Sequence, residues 1–159
     1  MVKINTLFKK KKISRIRDIE RERYLNFLEN SYINNLQHSE KNLIEFPRWS
    51  IISGYYAMHD VTKLFICKKF GIKIDFNVHA NTIIVLEKLI ENKEIPKLLE
   101  KAYREFLDLS NDLNEAKQNR VKAQYYTGTA YSLKRYLEEA KDFLEQVKSY
   151  LNKIRELLE

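Results

Sequence analysis

The segment from Arg48 to Gly71 constrains the fold more than any other part of the chain. It follows Pro47, which interrupts the helical pattern before it, and it ends at a glycine suited to a helix C-cap. Its mostly apolar residues form two adjacent stripes at three- and four-residue steps: Ile51, Tyr55, Met58, Thr62 and Phe65 in one, and Ile52, Tyr56, His59 and Ile66 in the other. A helix that is apolar on most of its circumference is packed on several sides. The sequence therefore predicts a central helix over this segment.

The remaining helical patterns and the scarcity of turn residues indicate the fold class. The 159 residues include only 3 glycines and 2 prolines, which argues against a sheet-and-turn architecture. The last helical segment has three adjacent heptad columns: Leu133, Ala140, Val147 and Ile154; Leu137, Leu144, Leu151 and Leu158; and Tyr136, Phe143, Tyr150 and Leu157. Such a face is wide enough for a bundle core. The sequence predicts an all-α fold, an antiparallel bundle of four long helices plus one shorter helix.

Caps and breakers suggest where the other helices begin and end. The first helix is predicted over residues 14–44, with the polar residues 37–40 as a place where it divides into two. Residues 72–78 alternate in polarity, but one such piece cannot make a sheet, so we interpret them as an ordered loop. A third helix is predicted over 79–91, and a fourth begins near Pro96.

Basic residues are concentrated at the N-terminus, although the formal net charge of the whole chain is +7. Residues 1–24 contain nine Lys and Arg against three Asp and Glu, and the rest of the chain is nearly balanced. We predict a flexible basic arm over residues 1–13 and a single helical domain over 14–159. The arm either contacts nucleic acid or is a solvated tail that aids solubility.

Several classes of protein and of site do not fit the composition. The single cysteine, Cys67, excludes a disulfide within one chain and favours a reducing, cytoplasmic location. No apolar run approaches the ~20 residues of a membrane span, and the N-terminus lacks the apolar region of a signal peptide. The three histidines lack the spacing of a zinc site, and three glycines cannot build a phosphate loop. We expect no metal and no cofactor.

The richest polar cluster lies between Lys117 and Arg135, where five basic residues occur without an acidic one. Cations bind phosphate and aromatic rings stack on bases, so this segment suits a nucleotide or RNA. The residues predicted to bind are Lys117, Arg120, Lys122, Tyr125, Tyr126, Lys134 and Arg135. A helix–helix junction, with tyrosines that anchor the bundle and cations near a helix C-terminus, explains the same residues. Both interpretations are open.

The histidines also have two interpretations each. His59, next to Asp60 on the central helix, is either a core group bonded to a tyrosine or a catalytic imidazole. His79 falls in the first turn of the third helix, where the helix dipole disfavours protonation, and we expect a neutral side chain bonded to a nearby loop. His38 is expected on the surface, and Cys67 is expected to be a packed thiol.

The residues from Ser53 to Gly71, SGYYAMHDVTKLFICKKFG, resemble the signature helix of the HEPN superfamily of small helical nucleotide-binding-type domains. That signature combines a small residue, Tyr-Tyr-Ala-Met, an aromatic residue or histidine, an amphipathic run and a glycine. A histidine that opens the next helix, here His79, is also similar to that family. The resemblance extends from about residue 20 onward and implies a HEPN-like bundle that forms a homodimer.

The same resemblance bears on catalysis. The superfamily includes metal-independent RNases, toxins paired with small nucleotidyltransferases, and non-catalytic binding domains. Its RNases use an Arg followed four to six residues later by a His, in a dimer cleft. The matching arginine here is Arg120, but Tyr125 stands five residues later and no histidine follows. Tyrosine does not exchange protons near neutral pH, so the resemblance implies a divergent member without the RNase motif.

Three functional hypotheses follow from these residues. The first is a non-catalytic domain that binds a nucleotide, RNA or a nucleotidyltransferase partner through the Lys117–Arg135 surface, as in a toxin–antitoxin-type system, with a homodimer interface near Arg120. The second is a divergent metal-independent RNase that uses Arg120 with His59 or Tyr125. The third is a purely structural interaction module.

Overall fold

A computed structural model describes the backbone of residues 4–122 and 129–159, and the side chains of residues 4–109, 134 and 136–159. The described chain is mostly helical, in agreement with the all-α prediction, and it contains one two-stranded sheet. No helix within these ranges is both long and apolar enough to cross a membrane. The elements, in chain order, are α1 (Ile4–Lys9), β1 (Ile13–Arg15), α2 (Asp18–Asn42), α3 (Pro47–Phe70), β2 (Ile72–Ile74), α4 (Val78–Leu89), α5 (Glu94–Lys122) and α6 (Thr129–Leu158).

Helix α3 is the central helix that the sequence predicts. Sixteen of its 24 residues are buried, because α2, α4, α5 and α6 all pack against it. The helix ends at Gly71, whose φ of 65° is left-handed and whose N–H bonds the Cys67 carbonyl at 2.9 Å. Glycine adopts this conformation without the steric cost of a side chain, which explains the C-cap.

Helix α2 runs antiparallel to α3. Ser39 contacts Ser50 near the connecting turn, and Arg21 bonds the Lys68 carbonyl near the other end. Residue numbers therefore increase along α2 in the direction in which they decrease along α3. The polar residues 37–40 do not divide α2, which is continuous to Asn42.

Helix α6 runs parallel to α3 and antiparallel to α5. Arg48 lies over the Tyr136 ring, and further along the same two helices Thr62 bonds Tyr150. Between α5 and α6, Lys101 bonds Gln146 and Glu94 pairs with Lys153. The later residue of α5 meets the earlier residue of α6, so these two helices are antiparallel. The heptad columns predicted for α6 are buried along the middle of the helix, where Ala140, Phe143, Leu144, Val147, Tyr150, Leu151 and Ile154 are at most 5% exposed, whereas Leu137, Leu157 and Leu158 are half-buried.

The N-terminal segment differs from the flexible arm predicted over residues 1–13. Residues 4–9 form helix α1, and Leu7 and Ile13 are each only 2% exposed. Strand β1 pairs antiparallel with β2, with Ile13 opposite Ile74, so residues 72–74 are a strand and part of the predicted loop is not a loop. Helix α2 consequently begins at Asp18, after this strand. The prediction missed the sheet because the whole of α2 and the whole of α3 lie between its two strands in the sequence.

Candidate functional site

The basic residues predicted to bind nucleic acid lie at one end of the bundle. Lys117, Arg120 and Lys122 are in the last turns of α5, and Lys134 and Arg135 are in the second turn of α6. Because α5 and α6 are antiparallel, the two groups come to the same end. The Lys134 side chain is exposed, and the other four side chains lie outside those described. Tyr125 and Tyr126 lie wholly outside the described residues.

This basic end lies beyond the start of α3. Ile51 and Leu109 line the same groove, so the two residues stand at one level of the bundle. Arg120 is eleven residues past Leu109, which is about 16 Å along a regular helix, whereas α3 begins about 6 Å before Ile51. Helix α5 therefore extends about 10 Å past the start of α3. We call residues 110–122 and 129–135 the projecting hairpin.

Large apolar side chains are exposed at the turn between α2 and α3, at the same end of the bundle. Ile44 is 61% exposed, Phe46 is 54% exposed and Trp49 is 57% exposed. The guanidinium of Arg48 lies 4.2 Å from the centre of the Tyr136 ring, which joins this turn to the first turns of α6. The sequence did not single out these three residues, although their closeness to Pro47 outside a periodic pattern was an available signal.

His59 is enclosed by the core. Its side chain is 4% exposed, Nε2 lies 3.3 Å from the Thr82 hydroxyl, and Nδ1 has no hydrogen-bond partner within the described part of the chain. Nδ1 stands 3.7 Å from the Asp60 carboxylate, beyond hydrogen-bond distance. Burial lowers the pKa of the imidazole, and the opposing interaction with Asp60 is smaller. The geometry agrees with a core histidine, although its hydroxyl neighbour is a threonine and not the expected tyrosine.

His79, in the first turn of α4, stacks on His59 with 4.6 Å between ring centres. Its Nδ1 lies 2.6 Å from the Tyr55 hydroxyl, and its ring is nearly parallel to that of Tyr103 at 5.3 Å. Burial and then the neighbouring His59 lower the pKa of His79 to about 4. The ring is therefore neutral near pH 7, as expected, but its partner is on α3 and not in a nearby loop.

Asp60 connects α2 and α3 and is fully engaged. Its carboxylate accepts from the Ser31 hydroxyl at 2.6 Å and from the Asn35 amide at 3.3 Å, and it pairs with Lys63 at 2.9 Å. Burial opposes ionisation, but His59, Lys63 and Ser31 outweigh it and lower the pKa of Asp60 to about 2. A carboxylate with so low a pKa is a weak base near neutral pH, and its contacts link α2 to α3.

His59 and Arg120, two residues of the RNase hypothesis, are not brought together within one chain. His59 is eight residues from Ile51 towards the C-terminal end of α3, whereas Arg120 lies beyond the N-terminal end. Their backbones are therefore separated by about 28 Å along the bundle axis. Tyr125, the third residue, lies outside the described residues.

An acidic groove of about 370 Å³ runs between α5 and α6 below the projecting hairpin. Burial raises the pKa of one of its carboxyl groups, that of Glu105. Within the described ranges, no group of three or more His, Cys, Asp or Glu side chains has a geometry that holds a metal ion. The carboxyl groups that line this groove repel an anionic ligand. The groove is lined by Ile51, Glu105, Asp108, Leu109, Tyr136, Glu139, Asp142 and Gln146.

Comparisons of this chain with protein-family models, with curated proteins and with solved structures found no match. The residues and geometry described above are therefore the basis for the function proposed below.

Proposed function

We propose that this chain is a HEPN-like helical module that binds single-stranded RNA without cleaving it, at the end of the bundle formed by the projecting hairpin and the α2–α3 turn. One observation carries the proposal. Two exposed aromatic rings, Phe46 and Trp49, lie at the same end as five cations in a segment that has no acidic residue between Lys117 and Arg135.

The chemistry of this end suits a single strand. Lys and Arg neutralise phosphates, and this contribution to affinity falls steeply as salt is raised. Exposed aromatic rings stack on unpaired bases, typically at about 1–3 kcal/mol per base. Trp49 and Phe46 are each more than half exposed, so their rings are accessible from solvent. The acidic groove below the hairpin favours binding at the tip of the bundle by repelling phosphate.

Binding without cleavage is supported by the position of His59. A general acid or base must reach the reacting atoms directly or through one water. His59 is buried, its pKa is lowered, and its backbone is about 28 Å along the bundle axis from that of Arg120. An RNA held at the projecting hairpin is out of reach of this imidazole.

The placement of the HEPN-like residues supports the family proposal. The quoted signature occupies α3, of whose 24 residues sixteen are buried, and Tyr55 of the Tyr-Tyr pair bonds His79 in the first turn of α4. A HEPN-like arrangement of the long helices is part of this proposal. The homodimer, a nucleotidyltransferase partner and the cytoplasmic location stay predictions.

The test uses the natural fluorescence of Trp49, the only tryptophan in the chain. A short single-stranded RNA should change this fluorescence at low salt, and the same RNA carrying a fluorescent label should show binding by anisotropy. Trp49→Ala and Arg120→Ala should each weaken the affinity several-fold and leave the melting temperature nearly unchanged. Phe76→Ala, an equally exposed aromatic at the opposite end, and Arg104→Ala, an exposed arginine earlier on α5, are the matched controls.

Three outcomes contradict the proposal in different ways. Absence of RNA binding by the unaltered protein would favour a structural interaction module. A lower melting temperature with unchanged affinity in Arg120→Ala would make Arg120 a structural residue. Cleavage of the RNA in metal-free buffer would favour the RNase hypothesis.

A further inference from the structure

A second basic surface lies around the two-stranded sheet, at the end of the bundle opposite the projecting hairpin. We call residues 9–23 and 68–76 the β1–β2 end. They include eleven Lys and Arg against four Asp and Glu, so their net charge of +7 equals that of the whole chain. The rest of the chain is balanced overall, and the excess of positive charge is therefore concentrated at this end.

The lysine run at residues 9–12 belongs to a folded turn and not to a solvated tail. The Lys12 carbonyl accepts from the N–H groups of Asp75 and Phe76 at 3.0 and 3.2 Å, which ties the run to the segment after β2. Leu7, just before the run, is only 2% exposed. The first three lysines of the run are exposed. Their charges are therefore held on a fixed surface.

Three of the four arginines at this end are already used within the chain. Arg15 and Arg21 donate to carbonyls in the last turn of α3 at 2.6 and 3.2 Å, where cations complement the helix dipole. Arg17 pairs with Glu20 at 3.0 Å. Among the described side chains, the exposed cations of this end without such a bond are Lys9, Lys10, Lys11, Arg23, Lys68 and Lys69.

Two large apolar side chains are exposed among these cations. Phe76, next to the residue that bonds Lys12, is 64% exposed, and Ile19, in the first turn of α2, is 90% exposed. A salt bridge of 3.6 Å between Glu20 and Lys73 holds that turn beside β2. Cationic surfaces that also present apolar side chains bind at the boundary between the headgroups and acyl chains of a bilayer.

We propose that the β1–β2 end binds the surface of an anionic lipid membrane, with its lysines over the headgroups and Phe76 and Ile19 inserted among them. Clusters of Lys and Arg are attracted to anionic lipids by their summed charge, and this contact requires no membrane-spanning helix. The proposal goes beyond RNA binding and does not depend on it, because α3, of about 36 Å, separates this end from the RNA site.

The chemistry of this end favours lipid over RNA as its partner. Arginine recognises a phosphate through two fixed hydrogen bonds, whereas lysine is a point charge without such geometry, and the unpaired cations here are mostly lysines. An RNA base can stack on Phe76 but gains no stacking from the aliphatic Ile19. Both side chains gain from transfer out of water into a bilayer surface.

Sedimentation with lipid vesicles tests the charge. The unaltered protein should pellet with phosphatidylcholine vesicles that contain about 30% phosphatidylserine, and not with phosphatidylcholine alone. Lys10→Gln combined with Lys11→Gln should weaken binding about tenfold or more, because each cation near such a surface contributes roughly fivefold. Lys41→Gln combined with Lys141→Gln removes two exposed lysines nearer the hairpin and is the control with the same net charge. It should weaken binding less than about threefold.

Substitution of the apolar residues tests the insertion at constant charge. Phe76→Ala and Ile19→Ala should each weaken vesicle binding several-fold, whereas Trp49→Ala, at the hairpin end, should leave it unchanged. Circular dichroism should confirm that all variants fold, since the replaced side chains are exposed.

Four outcomes would overturn the proposal. They are no binding of the unaltered protein to anionic vesicles, equal binding to neutral vesicles, unchanged binding of the Lys10 and Lys11 variant, and unchanged binding of Phe76→Ala. Weaker RNA binding by the Lys10 and Lys11 variant, without vesicle binding by the unaltered protein, would make this end an RNA contact instead. Failure of RNA binding at the hairpin would leave the vesicle results as they are, so the two proposals are tested separately.

Discussion

Helices α2 and α6 both pack along α3, but they are held there by different forces. The α2–α3 contact contains polar pairs along its length, from Ser39 with Ser50 to Ser31 with Asp60. The α6–α3 contact is built from apolar side chains, with a hydrogen bond between Tyr150 and Thr62. Apolar burial stabilises in proportion to area, whereas a buried polar pair contributes little net energy but is costly to break.

Gly54 shows how closely the two contacts approach each other. A Cβ at this position would lie 3.0 Å from a methyl of Val147 on α6 and 3.2 Å from the Ser39 hydroxyl on α2. Helix α3 therefore has no spare room between its two neighbours at this level. One helix can therefore have an apolar and a polar interface side by side, and the polar residues of the second interface interrupt the apolar repeat in its sequence.

The largest expected change in stability comes from a substitution in the apolar α6–α3 contact. Phe143→Ala should lower the free energy of unfolding by about 3–5 kcal/mol, because the ring is 1% exposed and its loss leaves a cavity against α3. Urea denaturation measures this change. Lys141→Ala, two residues away on the solvent face, is the control and should change it by less than about 0.5 kcal/mol. A loss below about 1 kcal/mol for Phe143→Ala would contradict the apolar account of α6.

The second largest expected effect is a loss of stability at low pH that arises in the α2–α3 contact and not in the α6–α3 contact. The pKa of Asp60 is about 2 in the folded chain and close to the ordinary value of 3.8 in the unfolded chain, so the unfolded state takes up the proton first as the pH falls. Stability from this group is present above pH 3.8, and about 2 kcal/mol should be lost as the pH approaches 2.

Protonation of two histidines should also lower the stability as the pH falls, at a higher pH than protonation of Asp60. The pKa values of His59 and His79 are lowered from 6.5, that of His79 to about 4, so stability should also decline between pH 6.5 and 4. Urea unfolding at a series of pH values measures both losses. Asp60→Asn should remove most of the decline below pH 3.8 and keep the earlier one. A flat profile for the unaltered protein below pH 3.8 would argue against a charged Asp60 between α2 and α3.

The smallest effect concerns the hydrogen bond within the apolar interface. Tyr150→Phe should cost about 1 kcal/mol, because the Thr62 hydroxyl keeps its bond to the Met58 carbonyl when the phenol is removed. A double-mutant cycle with Thr62→Val isolates the pair. A coupling above about 3 kcal/mol would mean that α6, like α2, depends on polar contacts, and the contrast would then disappear.

The sequence predicted the parts of the fold that depend on local periodicity. Apolar residues repeat along α3 and α6 whatever surrounds them, so both helices could be recognised and their buried columns named. The sheet was missed because pairing of residues 13–15 with 72–74 depends on how α2 and α3 fold back between them. The same dependence concealed α1, whose Leu7 is buried only because the folded chain covers it.

The candidate site was predicted in part. The five basic residues between positions 117 and 135 were identified from their charge. Because α5 and α6 run antiparallel, these five residues lie at the same end of the bundle. Exposure of Trp49 and Phe46 was missed, although both stand beside Pro47 outside a periodic apolar pattern.

The sequence by itself determined that this chain is helical and that α3 is its centre. These properties depend on residue type and spacing along one helix. Only the tertiary structure decided that His59 stacks on His79, that Asp60 is held by α2, and that His59 is far from Arg120. Such contacts are set by the relative direction and level of packed helices, which depend on the side chains of several elements at once.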